Sequence, residues 1–266
     1  MATAISADRT PIVYDRTGNG PPLVVVCGAL AGRAAVAPLA GLLAPDFTVL
    51  SYDRRGLGAS GDTAPYAVER EIEDLAAVIA EAGAPAYVFG HSSGAVLALE
   101  AAAHGLDITG LALYEPPFVV DDSRPHPPED FTEQLTELTK SGRRDEAVEL
   151  FLTKGVDLPP TAVAQMRGMP MWPGLAAAAH TLAYNIAIMG DFSVPAGRAG
   201  AVEVPTLVLD GGNSPAWARN AVRAVADAIP GARRLTLEGQ DHGAAPDALA
   251  PVLRDFFGEP EPPANI

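Results

Sequence analysis

The feature that most constrains this chain is the segment of residues 90–94, which reads Gly-His-Ser-Ser-Gly. It lies between an apolar run at residues 86–89 and an alanine-rich helical stretch at residues 95–103. This pattern predicts a strand, a sharp turn with Ser92 at its apex, and a helix. The two glycines allow the strand and the helix to approach each other without a Cβ clash. The segment therefore indicates a nucleophile elbow that exposes the serine hydroxyl.

Apolar, β-rich runs recur along the chain, and helix-like segments separate most of them. The runs cover residues 22–27, 47–52, 86–89, 111–114, 206–209 and 234–237. Alternation of this kind predicts an α/β fold, with a mostly parallel central sheet covered by helices on both faces. A further run at residues 12–14, followed by a turn at residues 17–20, predicts part of an N-terminal hairpin.

The alternation stops between residues 116 and 195, where three helical patterns begin near residues 131, 145 and 175. We therefore expect a core of residues 1–115 and 196–258, a helical lid of residues 116–195, and a disordered tail at residues 259–266. Ligands of open α/β sheets bind at the carboxyl ends of the strands, so a lid here would cover Ser92. Five apolar lid residues could line a substrate pocket, although packing is the commoner role for each. They are Met169, Met171, Trp172, Tyr184 and Met189.

The composition excludes several kinds of partner. The formal net charge is −15, whereas nucleic-acid binding needs a basic surface, so we expect no nucleic-acid partner. No apolar run reaches the ~20 residues that span a bilayer, and residues 1–10 lack a secretory leader, so we expect a cytoplasmic protein without membrane contact. A single cysteine, Cys27, and five scattered histidines predict neither a disulfide framework nor a metal site.

A serine nucleophile needs a neighbouring base, and the base needs a carboxylate that orients and stabilises it. His242 follows the last predicted strand in a loop at its carboxyl end, which makes it the best candidate for the base. His91 is adjacent to Ser92 in sequence, but neighbouring side chains on such a turn point apart. We therefore predict a structural or pocket role for His91.

Three further segments match a known family in the expected order. Residues 53–60 match the pattern D-x-R-G-x-G-x-S, residues 204–211 match the strand that precedes the catalytic acid, and residues 239–242 match the histidine loop. With the elbow, they make the chain resemble the α/β-hydrolase superfamily, close to small lidded esterases and cofactor-free haloperoxidases. The resemblance implies a serine hydrolase without a cofactor, whose oxyanion hole uses the backbone N–H groups of Ala29 and Ser93.

The chain departs from this family at the acid. Relatives carry G-x-x-D-P after the strand at residues 204–211, but here the aspartate position is Ser214, which we interpret as the N-cap of a helix over residues 216–229. Glu115, at the end of the strand after the elbow helix, is our first candidate, because some haloalkane dehalogenases place their acid there. Asp210 is the alternative acid, and a Ser–His dyad without an acid is the third possibility.

These observations predict a serine hydrolase that acts on a small, largely apolar ester, thioester or lactone through an acyl-enzyme on Ser92. The catalytic residues would be Ser92, His242 and Glu115. Two alternatives use the same scaffold. The first is a non-hydrolytic cyclase or lyase, or a C–C bond hydrolase, and the second is a ligand-binding pseudo-hydrolase. The partner is a small molecule, while the sequence leaves the substrate's identity and the oligomeric state open.

Overall fold

The computed structural model describes residues 1–83 and 85–258. The tail expected to be disordered, residues 259–266, lies outside the described residues. The strands are β1 (Ala2–Ile5), β2 (Pro11–Thr17), β3 (Pro22–Val26), β4 (Thr48–Tyr52), β5 (Ala86–His91), β6 (Ile108–Tyr114), β7 (Thr206–Gly211) and β8 (Arg233–Leu237). The α-helices are α1 (Ala37–Leu43), α2 (Val68–Ala82), α3 (Ser93–Ala103), α4 (Phe131–Lys140), α5 (Arg144–Leu150), α6 (Pro160–Arg167), α7 (Trp172–Ala177), α8 (Leu182–Met189), α9 (Ala196–Ala199), α10 (Ala216–Ala228) and α11 (Pro246–Gly258).

The described strands form one eight-stranded sheet in the order β1-β2-β4-β3-β5-β6-β7-β8. The six strands β3 to β8 pair in parallel with their neighbours in this order. The pairs β1 with β2 and β2 with β4 are antiparallel. The predicted α/β class with a mostly parallel sheet is therefore confirmed. Each predicted apolar run is a strand, because parallel strands covered on both faces need continuous apolar sequence.

The N-terminal hairpin forms from strands that the sequence did not fully define. β2 pairs with β1, so that Ala4 faces Ile12, and with β4 on its other side. The turn at residues 17–20 does not return the chain to a neighbouring strand, since β3 lies beyond β4. Instead, Gly18 packs against the segment before β4, where an added Cβ would lie 2.2 Å from the carbonyl oxygen of Phe47.

Helices cover both faces of the sheet. On one face α2, α3 and α10 bury the largest apolar cluster, which includes Leu75, Val96 and Val222. On the other face α1 and α11 bury a second cluster, which includes Leu43 and Leu253. The parallel strands lie between the two clusters, and their carboxyl ends meet at one edge of the sheet.

Helices α4 to α9 lie between β6 and β7, and we call this segment, residues 131–199, the helical insert. It has its own apolar cluster, which includes Phe131, Val148 and Trp172. Ala29 and Leu30, in the loop after β3, pack against that cluster, so the insert lies against this loop. Among the described residues no helix is long and apolar enough to cross a bilayer, and the expected cytoplasmic location stays a prediction.

The insert differs from the predicted helices in its boundaries. The single helix expected at residues 175–188 is divided into α7, a 3-10 turn at Ala179–Thr181, and α8. The hydroxyl of Thr181 donates to the carbonyl oxygen of Ala178, a side-chain bond that competes with the regular helix pattern. Helices α6 and α9 were not predicted, and α9, at four residues, is too short to show a periodic pattern.

Candidate active site

Ser92 lies at the turn between β5 and α3 with φ 56° and ψ −126°, a backbone conformation that L residues rarely adopt. The two elbow glycines permit this turn. A Cβ on Gly90 would lie 2.6 Å from the Cα of Ala95, and one on Gly94 would lie 2.3 Å from the carbonyl oxygen of Val26. Because both contacts are with backbone atoms, only glycine fits, as the sequence predicted. The turn leaves Ser92 partly exposed at the carboxyl edge of the sheet.

Two backbone amides lie close to Ser92. Gly28 packs on the elbow so tightly that a Cβ there would lie 3.0 Å from the Cβ of Ser92, and Ala29 is the next residue. Ser93 is the first residue of α3, so its N–H has no acceptor within the helix. No acceptor is recorded for the N–H of Ala29 or Ser93 within the described part of the chain. Both amides therefore remain candidates for the oxyanion hole that the sequence predicted.

The carboxylate of Glu115 lies at the end of β6 and contacts His242. Its Oε2 is 2.7 Å from His242 Nδ1, and its Oε1 accepts hydrogen bonds from the Gly211 N–H at 2.8 Å and from the Ser214 hydroxyl. Burial alone would raise the pKa of Glu115, whose side chain is 1% exposed. The hydrogen bonds from His242, Ser214 and Gly211 overcome that effect and hold the pKa below its ordinary value. Glu115 is therefore a carboxylate at neutral pH.

The interpretation of Ser214 as a helix cap is wrong. Pro215 holds the N-cap position of α10, and no side chain caps this helix end. The hydroxyl of Ser214 instead donates a charge-assisted hydrogen bond to the carboxylate of Glu115. The residue at the family's usual acid position thus holds the carboxylate that contacts the histidine.

Asp210, the alternative acid, lies on the face of the sheet that α10 covers. Its side chain leaves β7 on the same face as Val208, which packs with α10, because side chains alternate along a strand. Burial raises the pKa of Asp210 above its ordinary value. Among the described residues no hydrogen bond between Asp210 and His242 is recorded.

The loop that carries His242 is held by two side chains from the sheet. The Tyr114 hydroxyl donates to the carbonyl oxygen of Asp241 at 2.5 Å, and His91 Nε2 lies 2.8 Å from the carbonyl oxygen of His242. Burial and the neighbouring His242 lower the pKa of His91 to about 4, so its ring is neutral at pH 7 and Nε2 must carry the proton. His91 therefore positions His242 through a backbone hydrogen bond.

No hydrogen bond between the Ser92 hydroxyl and His242 is recorded among the described residues. The elbow and the histidine loop are nevertheless adjacent, because the rings of His91 and His242 are 4.7 Å apart. The side chain of His242 is 39% exposed, so a substrate or a water molecule can reach it.

A buried polar network that the sequence did not reveal lies beneath Ser93. Arg54 donates to both carboxylate oxygens of Glu71, at 2.7 and 2.8 Å, and to Asn185 Oδ1 at 2.9 Å. The hydroxyl of Ser93 donates to the same Asn185 oxygen at 2.8 Å. Asn185 belongs to α8, so this network joins the helical insert to the elbow. No sequence pattern distinguishes Asn185, since its partners lie 92 and 131 residues away.

The structure does not bring the five expected pocket residues together around Ser92. Met169 and Met171 lie at the surface, 50% and 51% exposed. Trp172 is buried in the cluster of the insert, where its indole N–H donates to Asp145. Trp172 therefore belongs to the insert's own core, whereas the two methionines face the solvent.

The other two expected pocket residues, Tyr184 and Met189, contact groups outside the catalytic residues. The ring of Tyr184 stacks on Tyr66 with a centroid distance of 3.9 Å, and its hydroxyl donates to Asp62. Met189 lines a surface cleft of about 330 Å³ whose other walls include Phe118 and Arg198. This cleft does not include Ser92 or His242. Of the described residues, no group of His, Cys, Asp and Glu side chains is arranged to hold a metal ion.

Comparisons with known proteins agree with this architecture. A family model described as "Alpha/beta hydrolase family" matches residues 23–252. The crystal structure of an alpha/beta hydrolase from Sphaerobacter thermophilus is 59% identical, with 96% of this chain and 100% of that chain covered and a TM-score of 0.93. The enol-lactonase from Burkholderia xenovorans is 24% identical over 97% of this chain and 100% of that chain, with a TM-score of 0.73, a likeness of fold.

A curated protein matches over a shorter segment. A pimeloyl-[acyl-carrier protein] methyl ester esterase from Stenotrophomonas maltophilia is 37% identical over 115 residues, which are 42% of this chain. The match spans 43% of that relative's length. An uncharacterized hydrolase of Bacillus subtilis is 38% identical over 93 residues, 34% of each chain. This chain therefore matches less than half the length of either relative.

Proposed function

The chain belongs to the alpha/beta hydrolase family, and we propose that it is a serine hydrolase of small, largely apolar esters, thioesters or lactones. Ser92 is the nucleophile, His242 the general base and Glu115 the acid that orients it. The observation that supports this most directly is the 2.7 Å hydrogen bond between Glu115 Oε2 and His242 Nδ1. It fixes the imidazole tautomer that leaves Nε2 free to accept a proton.

The reaction divides into two transfers of an acyl group. Ser92 Oγ attacks the carbonyl carbon while His242 Nε2 takes the hydroxyl proton, and His242 then gives this proton to the leaving group. Water, deprotonated by the same nitrogen, attacks the acyl-enzyme and releases the acid and Ser92. Glu115 remains ionised throughout and stabilises the imidazolium of each step.

The oxyanion of both tetrahedral intermediates accepts hydrogen bonds from the amides of Ala29 and Ser93. Removing one donor of this kind typically costs about 3 to 4 kcal/mol of transition-state stabilisation. The free state of these two N–H groups supports this role, since each requires an acceptor when substrate excludes water.

The missing hydrogen bond between Ser92 and His242 is compatible with this mechanism. In free enzymes the bond between nucleophile and base is often long, and it closes only in the complex with substrate. The partial exposure of His242 leaves room for that movement.

Labelling with a fluorophosphonate probe tests the proposal. We expect the probe to modify Ser92 and to abolish turnover of a p-nitrophenyl ester, and we expect the Ser92→Ala variant to take no label. The modified peptide is identified by mass spectrometry. An unlabelled Ser92 in the folded wild type would contradict nucleophilic catalysis, and a labelled Ser92 without ester turnover would favour a non-hydrolytic reaction on the same scaffold.

A further inference from the structure

Arg124, in the loop between β6 and α4, is a buried cation that has no anion. Its side chain is buried, with the residue 5% exposed, and Nη2 donates to the carbonyl oxygen of Pro117 at 2.5 Å. The guanidinium carbon lies 4.1 Å from the ring centre of Trp217. Within residues 1–83 and 85–258, Nε and Nη1 have no hydrogen-bond partner, and no carboxylate lies within 4.0 Å.

The other buried arginines of the chain show what is absent at Arg124. Arg54 donates through Nε and Nη2 to Glu71, and Arg55 does the same to Asp74. Their carboxylate partners raise the pKa of both guanidinium groups, whereas burial lowers the pKa of Arg124 to about 10. Arg124 is still a cation at pH 7, and a buried cation without a counterion is unfavourable.

Arg124 contacts two segments that adjoin residues of the proposed site. Pro117, which accepts its hydrogen bond, is two residues after Glu115. Trp217, on which its guanidinium stacks, is three residues after Ser214, and the Ser214 hydroxyl contacts Glu115. In the helical insert, Asp157 influences Arg124 electrostatically without forming an ion pair.

We propose that Arg124 binds a carboxylate group of the substrate, so that the enzyme prefers an ester whose apolar chain ends in a free acid. This inference rests on the proposed function. The guanidinium donates one hydrogen bond and stacks on Trp217, so Nε and Nη1 are the donors left for a ligand. A carboxylate there would pair with a planar group that presents several N–H donors. With a net charge of −15 on the chain, an acidic substrate needs such a local cation.

Two substrates that differ only at the distant group test the proposal. One is the monomethyl ester of a six-carbon dicarboxylic acid, and the other is the dimethyl ester of the same acid. The scissile bond is identical in both, so the ratio of their kcat/KM values isolates the free carboxylate. We expect the wild type to prefer the half-ester.

Arg124→Gln should lower kcat/KM for the half-ester about 10- to 100-fold, mainly through KM, the usual effect of losing a hydrogen bond to a charged group. The same variant should change kcat/KM for the dimethyl ester by less than about threefold, because that substrate has no carboxylate to bind. The control is Arg219→Gln, which removes an exposed arginine from α10 and should alter neither value.

Several outcomes would overturn the proposal: equal loss for both esters in Arg124→Gln, or a wild type that turns over the dimethyl ester without preferring the half-ester. Failure of the proposed function itself is distinct, because the wild type would then hydrolyse neither ester. If Arg124→Gln does not fold, the wild type still decides the question. The free dicarboxylate should inhibit hydrolysis of the dimethyl ester competitively while the corresponding diamide should not, and equal inhibition by both would refute the role of Arg124.

Discussion

At the scale of single residues, Glu115 combines an unusual backbone with a fully engaged carboxylate. Its φ of 46° places it in the left-handed region, which costs a residue with a Cβ about 1 kcal/mol. Its N–H continues the sheet by donating to the carbonyl oxygen of Leu209 at 3.0 Å. The turn directs the carboxylate towards three donors on β7, its following loop and the histidine loop. The backbone strain is thus offset by hydrogen bonds to an ionised group.

Replacing Glu115 by Gln should lower kcat for ester hydrolysis about 10²- to 10⁴-fold. The amide has only one acceptor oxygen, and its NH₂ group must face a donor, either His242 Nδ1–H or the Ser214 and Gly211 pair. Asp210→Asn is the matched control and should retain kcat within about threefold. Steady-state kinetics with a p-nitrophenyl ester measures both. Collapse of Asp210→Asn with an active Glu115→Gln would instead make Asp210 the acid.

His91 gives a prediction for both activity and pH dependence. His91→Gln keeps an N–H that can reach the carbonyl oxygen of His242, whereas His91→Phe removes it. We therefore expect the Gln variant to retain most of the wild-type kcat and the Phe variant to lose it about 10-fold or more, through a misplaced base. Equal activities of the two variants would show that the hydrogen bond does not position His242.

The same histidine should make the wild type less stable as the pH falls. The imidazole takes up a proton near pH 6.5 when unfolded but only near pH 4 when folded, so the unfolded state binds more protons between these values. The free energy of unfolding should therefore decrease from pH 6.5 towards pH 4, by on the order of 2 kcal/mol for this residue. Urea denaturation at several pH values should show this component in the wild type and not in either His91 variant.

At the scale of secondary-structure elements, the elbow depends on close packing between backbones. The strand β5, the turn and α3 are held against the end of β3, where the Cα of Gly94 faces the carbonyl oxygens of Val26 and Cys27. A side chain at this point would push the helix away from the sheet. The geometry at Ser92 is therefore a property of three packed elements.

Gly94→Ala should lower the free energy of unfolding by at least about 2 kcal/mol, because the new Cβ would overlap backbone that cannot move away. Gly197→Ala is the control, since that glycine lies within α9 and has no atom within 4 Å of an added Cβ. This variant should be neutral or about 0.5 to 1 kcal/mol more stable. Urea or thermal denaturation measures the difference, and a Gly94→Ala protein as stable as wild type would contradict the packing described.

The elements also show which features a sequence can predict. The parallel strands were predicted because burial on both faces leaves a continuous apolar run, and the elbow because its glycines are a local requirement. Ser214 was misread because Ser-Pro resembles a helix start, whereas its partner, Glu115, lies 99 residues away. Asn185 left no signal for the same reason. Local sequence thus predicts elements, while contacts between distant residues need the folded chain.

At the scale of the whole molecule, the helical insert is joined to the core through both apolar and polar contacts. Besides its own apolar cluster, it contributes Ile188, Met189 and Ala199 to the cluster on one face of the sheet. The buried contact of Asn185 with Arg54 and Ser93 is one junction, and the stacking of Tyr184 on Tyr66 is another. The insert and the elbow should therefore be energetically coupled through these residues.

A double-mutant cycle of Asn185→Leu and Ser93→Ala measures this coupling. Each single variant should lose stability, because it leaves a buried polar group without its partner. The double variant should lose less than the sum, with a coupling energy of about 1 to 2 kcal/mol in urea denaturation. The control is Asn220→Leu on α10, which removes a hydrogen bond to Asp121 and should be additive with Ser93→Ala. Additivity in both cycles would show that Asn185 does not couple the insert to the elbow.

The position of Glu115 has a consequence for how the enzyme can change. Strands β5 and β6 are hydrogen-bonded neighbours, with His91 opposite Tyr114, so the residues that follow them are spaced by the ladder of the sheet. If Ser92 and Glu115 act as proposed, the ladder of the sheet fixes their separation, and only the imidazole depends on a loop outside the sheet. The turn after β7 then needs to keep just one hydroxyl, and laboratory evolution could lengthen or remodel the rest of it to admit bulkier ligands.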